Sequence, residues 1–255
     1  MDRTGLAHLW SNVKRVLAVK QDKLTGTAGH VVWIDGAGSA AAGPEWSNPN
    51  LLDNWYFLDP IDQQKRTVCG VRYGIDRYIT DGIQPAAGGM RATKTGAYLL
   101  QRLDHGLKRF LSGKTVTASC ILNGKLCSGT LCYEPVLAEQ RYFFVGCDVH
   151  IVNTVDGGIL FWSAGKDNVM SAAKLELGLN QTLAHQDEDG TWVLNDPPPD
   201  KALELAKCQR YYQIFTDKAL RPTRAADFRP PMRVDPALGT IDIGGTTYYT
   251  ADANL

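Results

Sequence analysis

The chain lacks an excess of charge of either sign. Lys plus Arg and Asp plus Glu both total 27 in 255 residues, so the formal net charge is zero. A general nucleic-acid or anionic-membrane surface is therefore not expected. It has no run of 18 apolar residues, which excludes a transmembrane helix. Its beginning carries no long apolar core of a secretory signal, since Val13–Val19 is short and interrupted by Lys14 and Arg15. Cysteine is missing from the first 68 residues, and Cys69, Cys120, Cys127, Cys132, Cys147 and Cys208 show no C-x-x-C spacing. Cys120 and Cys147 fall on apolar faces of two expected strands, with Val116, Ala118 and Leu122 and with Phe143, Val145, Val149 and Ile151, so buried free thiols are expected rather than disulfides. The five histidines are scattered and form no H-E-x-x-H pattern, and no G-x-S-x-G or G-x-x-x-x-G-K motif is present. No motif calls for a metal or a cofactor, and catalysis has little support.

What is present is punctuation and alternation. Twenty-five glycines and twelve prolines divide the chain into short segments, which favours turns and strands. The change of character comes at residues 50–78, where a low-complexity beginning gives way to aromatics and aliphatics that read as the first strands of a β-sandwich. Strands are expected at 71–79, 97–103, 114–122, 126–133, 142–152, 158–163 and 172–179. Asn123-Gly124 is a hairpin turn between two of them, and Asp156-Gly157-Gly158 marks another. Antiparallel strands at this spacing point to a sandwich or jelly roll. A short helix or turn follows the strand at 97–103, near His105–Phe110. A further helix is expected over 195–213, opened by Asp196 and three prolines. The alternation of Ile241 and Ile243 with Asp242, then Gly244-Gly245, predicts a terminal hairpin.

Before residue 50, Leu6, Leu9, Val13 and Val16 follow the 3-4-3 spacing of a coiled-coil seam. A helix of this length does not persist alone in water, so it packs either on the main domain or on copies of itself, and self-association is favoured because little of its own domain follows it. Two strand-sized fragments flank Asp35-Gly36, and residues 43–49 read as a linker. The chain is thus expected to be mainly β: an antiparallel β-sandwich (jelly roll) preceded by a short coiled-coil helix and a small β connector. The divisions are 1–20, 21–49, 50–215, and a Pro-rich segment at 216–255 whose hairpin packs on the sandwich.

Asp76 and Arg77 are expected to form a structural ion pair, and His150 to be exposed beside Asp148. Trp55, Tyr56, Phe57 and Tyr78 are assigned to the core by their strand context. Asp187-Glu188-Asp189-Gly190 reads as an acidic hairpin tip, with fewer oxygens than calcium needs. Trp192 follows it. An aromatic beside polar groups on a sandwich loop suits the apolar face of a pyranose, so Trp192, Asp187 and Asp189 are the candidate ligand site, with Trp162 as a rival whose strand context, like that of Trp55 and Tyr78, favours the core.

The sequence also carries a resemblance. Asn50-Leu51-Leu52-Asp53-Asn54-Trp55-Tyr56-Phe57, Pro60 with Gln63, and Tyr73-x-Ile75-Asp76-Arg77-Tyr78 resemble phage and prophage tail-fibre receptor-binding proteins of gut Firmicutes. So do Ala173–Gly178, Leu205–Tyr212 and the connector-like Gln21–Gly29, in the same order along the chain. Tyrosine stands at 78 where the pattern has tryptophan, and Asn180–Asp196 is longer than the usual link. The resemblance implies a homotrimeric fibre in the virion tail, synthesised in a bacterial cytoplasm, with a carbohydrate-binding-module-like jelly roll for a bacterial surface glycan. Other tail or baseplate proteins would be its partners, without nucleic acid or membrane insertion. The alternatives are a purely structural baseplate or fibre subunit, and a glycan depolymerase, for which no acidic pair stands out.

Overall fold

The structure, a computed structural model, describes residues 30–34, 40–45, 47–65, 72–187 and 189–254. The seam residues Leu6, Leu9, Val13 and Val16, and the Asp35-Gly36 turn, lie outside them. Two units are present, split between Ser47 and Asn48. In the first, β1 (His30–Ile34) and β2 (Ala40–Glu45) pair antiparallel, so the strand fragments expected around Asp35-Gly36 do join. β2 takes in Gly43-Pro44-Glu45, the start of the expected linker.

The second unit is a mainly-β antiparallel sandwich. Its strands are β3 (Arg72–Tyr73), β4 (Tyr78–Asp81), β5 (Ile83–Ala86), β6 (Gly89–Ala92) and β7 (Tyr98–Gln101). After helix α1 (His105–Leu111) come β8 (Thr115–Leu122), β9 (Lys125–Cys132), β10 (Arg141–Val145), β11 (Val149–Asn153), β12 (Ile159–Ser163) and β13 (Val169–Leu177). One sheet runs β10-β11-β12-β7-β4-β3 and the other β5-β6-β13-β8-β9. A single buried cluster joins them, with Tyr78, Leu99, Ile151 and Phe161 from the first and Met90, Val116, Ala118 and Leu175 from the second. Alternation explains which side chains face in. On β12, Ile159, Phe161 and Ser163 are buried while Leu160 and Trp162 stay half-exposed.

The Asn123-Gly124 turn forms as expected, both residues at positive φ (50° and 71°) and Leu122 opposite Lys125. Two expected strands are broken instead. The 142–152 segment folds back through Gly146-Cys147-Asp148 into β10 and β11, which leaves Cys147 exposed in the turn rather than on a buried face. The 71–79 segment breaks at residues 74–77, where Arg77 turns the chain at φ 73°. Residues 50–57 run along β13 beyond the reach of β6. Leu51 N donates to Leu175 O (2.8 Å), and Phe57 N to Ser171 O (2.9 Å). This places Trp55 and Phe57 in the core, as expected, with Tyr56 half-buried.

β14 (Ala184–Gln186) and β15 (Trp192–Leu194) form a small hairpin. Helix α2 spans Lys201–Gln209, shorter than expected. The three prolines stay extended ahead of it, and Asp200 rather than Asp196 caps it, accepting from Ala202 N and Leu203 N. Its expected last turn is instead β16 (Tyr212–Phe215), which pairs with β18 (Thr246–Asp252), itself paired with β17 (Ala237–Ile243). This three-stranded sheet crosses the boundary expected at residue 215. It has its own small core of Phe228, Met232, Ala251 and Ala253. None of the helices among the described residues is long and apolar enough to cross a membrane.

Candidate functional site

The loop around Trp192 is built into the fold. Trp192 is half-buried and packs against the main core. The Asp187 carboxylate accepts from Asp189 N (3.1 Å) and Thr191 N (2.8 Å), so it holds its own turn. Asp189 is exposed and next to it. Beneath this segment lie two buried charges of β13. Lys174 Nζ meets Asp196 Oδ2 at 3.0 Å and donates to Thr182 O. Glu176 accepts from Thr182 N at 2.7 Å and from Asn48 Nδ2 at 3.2 Å. The extra length of residues 180–196 thus covers one face of its sheet and satisfies two groups that burial would otherwise penalise heavily.

The other sheet leaves its outer face half-exposed apart from the buried Val152, and a row of rings crosses it. His150 stands opposite Trp162 in the β11–β12 register, and Trp162 opposite Tyr98 in the β12–β7 register. The His150 and Trp162 rings stack 4.8 Å apart at 19°. That distance matches the spacing between neighbouring strands, so both rings stand upright on the sheet with their edges outward. Tyr142 meets His150 edge-on at 6.0 Å and is 47% exposed. Its hydroxyl accepts from Gln140 Nε2 at 2.6 Å. Gly96 lies against Trp162; a Cβ there would come 3.3 Å from the indole Nε1, so glycine leaves that edge uncrowded. His150 Nδ1 is buried without a hydrogen-bond partner among the described residues. The half-exposed Leu160, Leu100 and Ile79 continue the surface as an apolar band beside the row.

Such a row presents apolar bodies and polar edges together, the pattern that a sugar's alternating C–H and O–H groups can match. Of the residues expected to bind, Trp162 is in this row, while Trp192, Asp187 and Asp189 are elsewhere. Tyr142, His150 and Tyr98 are additions. Each sits at an outward position of its strand; the cross-strand register aligns His150, Trp162 and Tyr98, while Tyr142, opposite Val152, reaches His150 diagonally.

A third cluster joins the sandwich to α2. Arg77 is buried and pairs with Asp53 (Nε to Oδ2, 2.9 Å), not with its neighbour Asp76 as expected. The positive φ at Arg77 sends its side chain away from Asp76. Asp76 instead accepts from Gln63 N (3.1 Å) and Gln63 Nε2 (2.5 Å). Burial pushes the Asp76 carboxyl up to about 7, against the lowering effect of the two Gln63 hydrogen bonds. Asp53, Arg77, Asp104, Lys207, Arg210 and Tyr211 line a cavity of about 170 Å³. With Arg77 held by Asp53 and Tyr211, and Tyr211 by Asp104, the cluster reads as a structural joint.

Among the described residues no three His, Cys, Asp or Glu side chains gather as they would around a metal ion. Comparison with protein-family models, with curated proteins and with solved structures finds no match to this chain.

Proposed function

We propose that the chain is a receptor-binding protein of a phage-type tail fibre, which attaches to a bacterial surface glycan without turning it over. The observation that carries this reading is the row Tyr142–His150–Trp162–Tyr98 on a half-exposed sheet face. Rings held rigid by their neighbours lose little entropy on binding, and their edges offer hydrogen bonds beside apolar surface. The resemblance of residues 50–78 to tail-fibre proteins supplies the setting. It is also the source of the trimer and of the place in the virion tail. Three weak sites on one fibre would raise avidity through effective concentration.

The experiment is binding of the labelled protein to host cells and to a glycan array, for the natural chain and for Trp162→Ala and Tyr142→Ala. Binding that both variants lose while they remain folded supports the reading, and uniform absence of binding overturns it. Light scattering that finds only monomers removes the trimer. A purely structural fibre or baseplate subunit is the second reading. The band of Leu160, Leu100 and Ile79 favours it, since half-exposed aliphatics on a sheet face suit a protein partner better than a sugar. Retention of the protein by other tail proteins, together with a blank array, selects that reading.

A further inference from the structure

Away from the aromatic row lies a groove of about 640 Å³, within the range of small-ligand sites. Three segments wall it: His105, Lys108 and Arg109 from α1 with Ser112 just after it, Pro135–Leu137 from the β9–β10 loop, and Val155 and Asp156 from the β11–β12 turn. The walls are braced to one another. Leu137 N donates to Val155 O at 3.0 Å, Lys108 Nζ to Asp156 O at 2.5 Å, and the Tyr133 hydroxyl to Gly157 O at 2.6 Å. At Gly157, φ is 74° and a Cβ would lie 2.5 Å from Pro135 O, so glycine permits the close approach of turn and loop. The groove is therefore preformed rather than assembled on binding.

Its lining divides into an apolar side and a basic side. Val136 is 78% and Val155 49% exposed, large values for aliphatic side chains in a concave surface. The one carboxylate of the lining, Asp156, is already engaged by the Thr154 hydroxyl and by Arg102 at 3.5 Å. Arg109 is exposed and makes no ion pair among the described residues, and His105 is exposed beside it. Lys108 faces Asp156, so the positive charge left uncompensated beside the apolar surface is that of Arg109.

We propose that this groove binds an acidic saccharide, its carboxylate or phosphodiester held by Arg109 and Lys108 and its C–H faces laid on Val136 and Val155. The saccharide class rests on the glycan-binding reading above; the negative charge rests on the groove alone.

The test titrates the full chain with tetragalacturonate, with its methyl ester and with a phosphodiester-linked hexose oligomer, at 20 and 200 mM salt, following binding by calorimetry. At least one anionic probe should bind, weaken several-fold at the higher salt, and weaken at least fivefold with Arg109→Glu or Val136→Asp. Both variants change exposed side chains and should fold. An anionic probe that binds as well as the methyl ester, or that is lost with Trp162→Ala rather than Arg109→Glu, overturns the groove and leaves the glycan reading standing. Failure of both anionic probes overturns it too, as does a change of oligomeric state with Arg109→Glu, which would make the groove an interface between copies. A blank array in the preceding experiment alongside anionic binding here would sink the row and keep the groove.

Discussion

The Arg77 guanidinium carbon lies over the Tyr211 ring, 3.3 Å from its centroid. Arg77 belongs to the turn before β4 and Tyr211 to the link between α2 and β16, so the contact fastens the C-terminal elements to the sandwich. Asp53 and the Arg102 carbonyl accept the Arg77 hydrogens, and Arg233 approaches Asp104 (3.4 Å) beside Tyr211. Arg77→Lys keeps the charge but loses the guanidinium over the ring and the fork that reaches two acceptors. It should destabilise the protein by about 1.5–3 kcal/mol. Urea denaturation measures this, and an unchanged midpoint would remove the joint.

Asp76 makes the same region sensitive to pH. Its carboxyl is raised from 3.8 to about 7 in the folded chain, chiefly by burial. Between these values the folded state keeps a proton that the unfolded state has released, so stability falls as pH rises from about 4 to about 7 and then levels. The natural protein should thus be more stable at pH 5 than at pH 8, by an amount on the order of a few kcal/mol before other groups contribute. Asp76→Asn should flatten that slope. Urea midpoints of both proteins across this range are the measurement, and parallel profiles would assign the slope to other groups.

Much of the sandwich was legible because its signals are local. Asn123-Gly124 names its own turn, and the apolar run of β8 follows from a strand buried between two neighbours. On β13 the alternation of Leu175 and Leu177 with Lys174 and Glu176 reads as one face in and one face out, yet the structure buries Lys174 and Glu176 as well. The misses share a cause as well. Gly146-Cys147-Asp148 and Gly74–Arg77 are turns without a strong dipeptide signal, so the alternation runs straight through them in the sequence. β5 and β6 are four residues each and contain Pro85 and Gly89. The site was less legible than the fold. That Arg77 chooses Asp53, 24 residues away, over Asp76 depends on one backbone angle. That Trp192 packs inward while Trp162 joins a surface row depends on which strands are neighbours, and that is a property of the topology.

Trp192 and Trp162 should therefore separate in experiment. Trp192 is half-buried against the core beside the covering hairpin, so Trp192→Ala should lower stability by about 2–4 kcal/mol. It should leave glycan binding intact where the protein remains folded. Trp162→Ala should cost about 0.5–1.5 kcal/mol of ring stacking with His150 and remove binding. Thermal melts set beside array signals distinguish the two, and the opposite pattern would return the site to the 187–192 loop.

Gly129 tests how the two sheets close on each other. A Cβ there would fall 1.6 Å from Phe143 O and 2.4 Å from its carbonyl carbon, because the backbone of β10 crosses directly over β9 at this residue. No side chain can rotate away to make room, since the obstacle is main chain. Gly129→Ala must displace β10, and with it Tyr142 and the edge of the aromatic row. It should cost about 3 kcal/mol or more, at the upper end of overpacking effects. Gly124→Ala is the comparison: its φ is 71° but nothing lies within 4 Å of the added carbon, so only backbone strain of about 1 kcal/mol is expected. Equal losses from the two substitutions would mean that β10 does not lie on β9 as described, whereas a large loss at Gly129 and a small one at Gly124 ties the aromatic row to the closure of the sandwich.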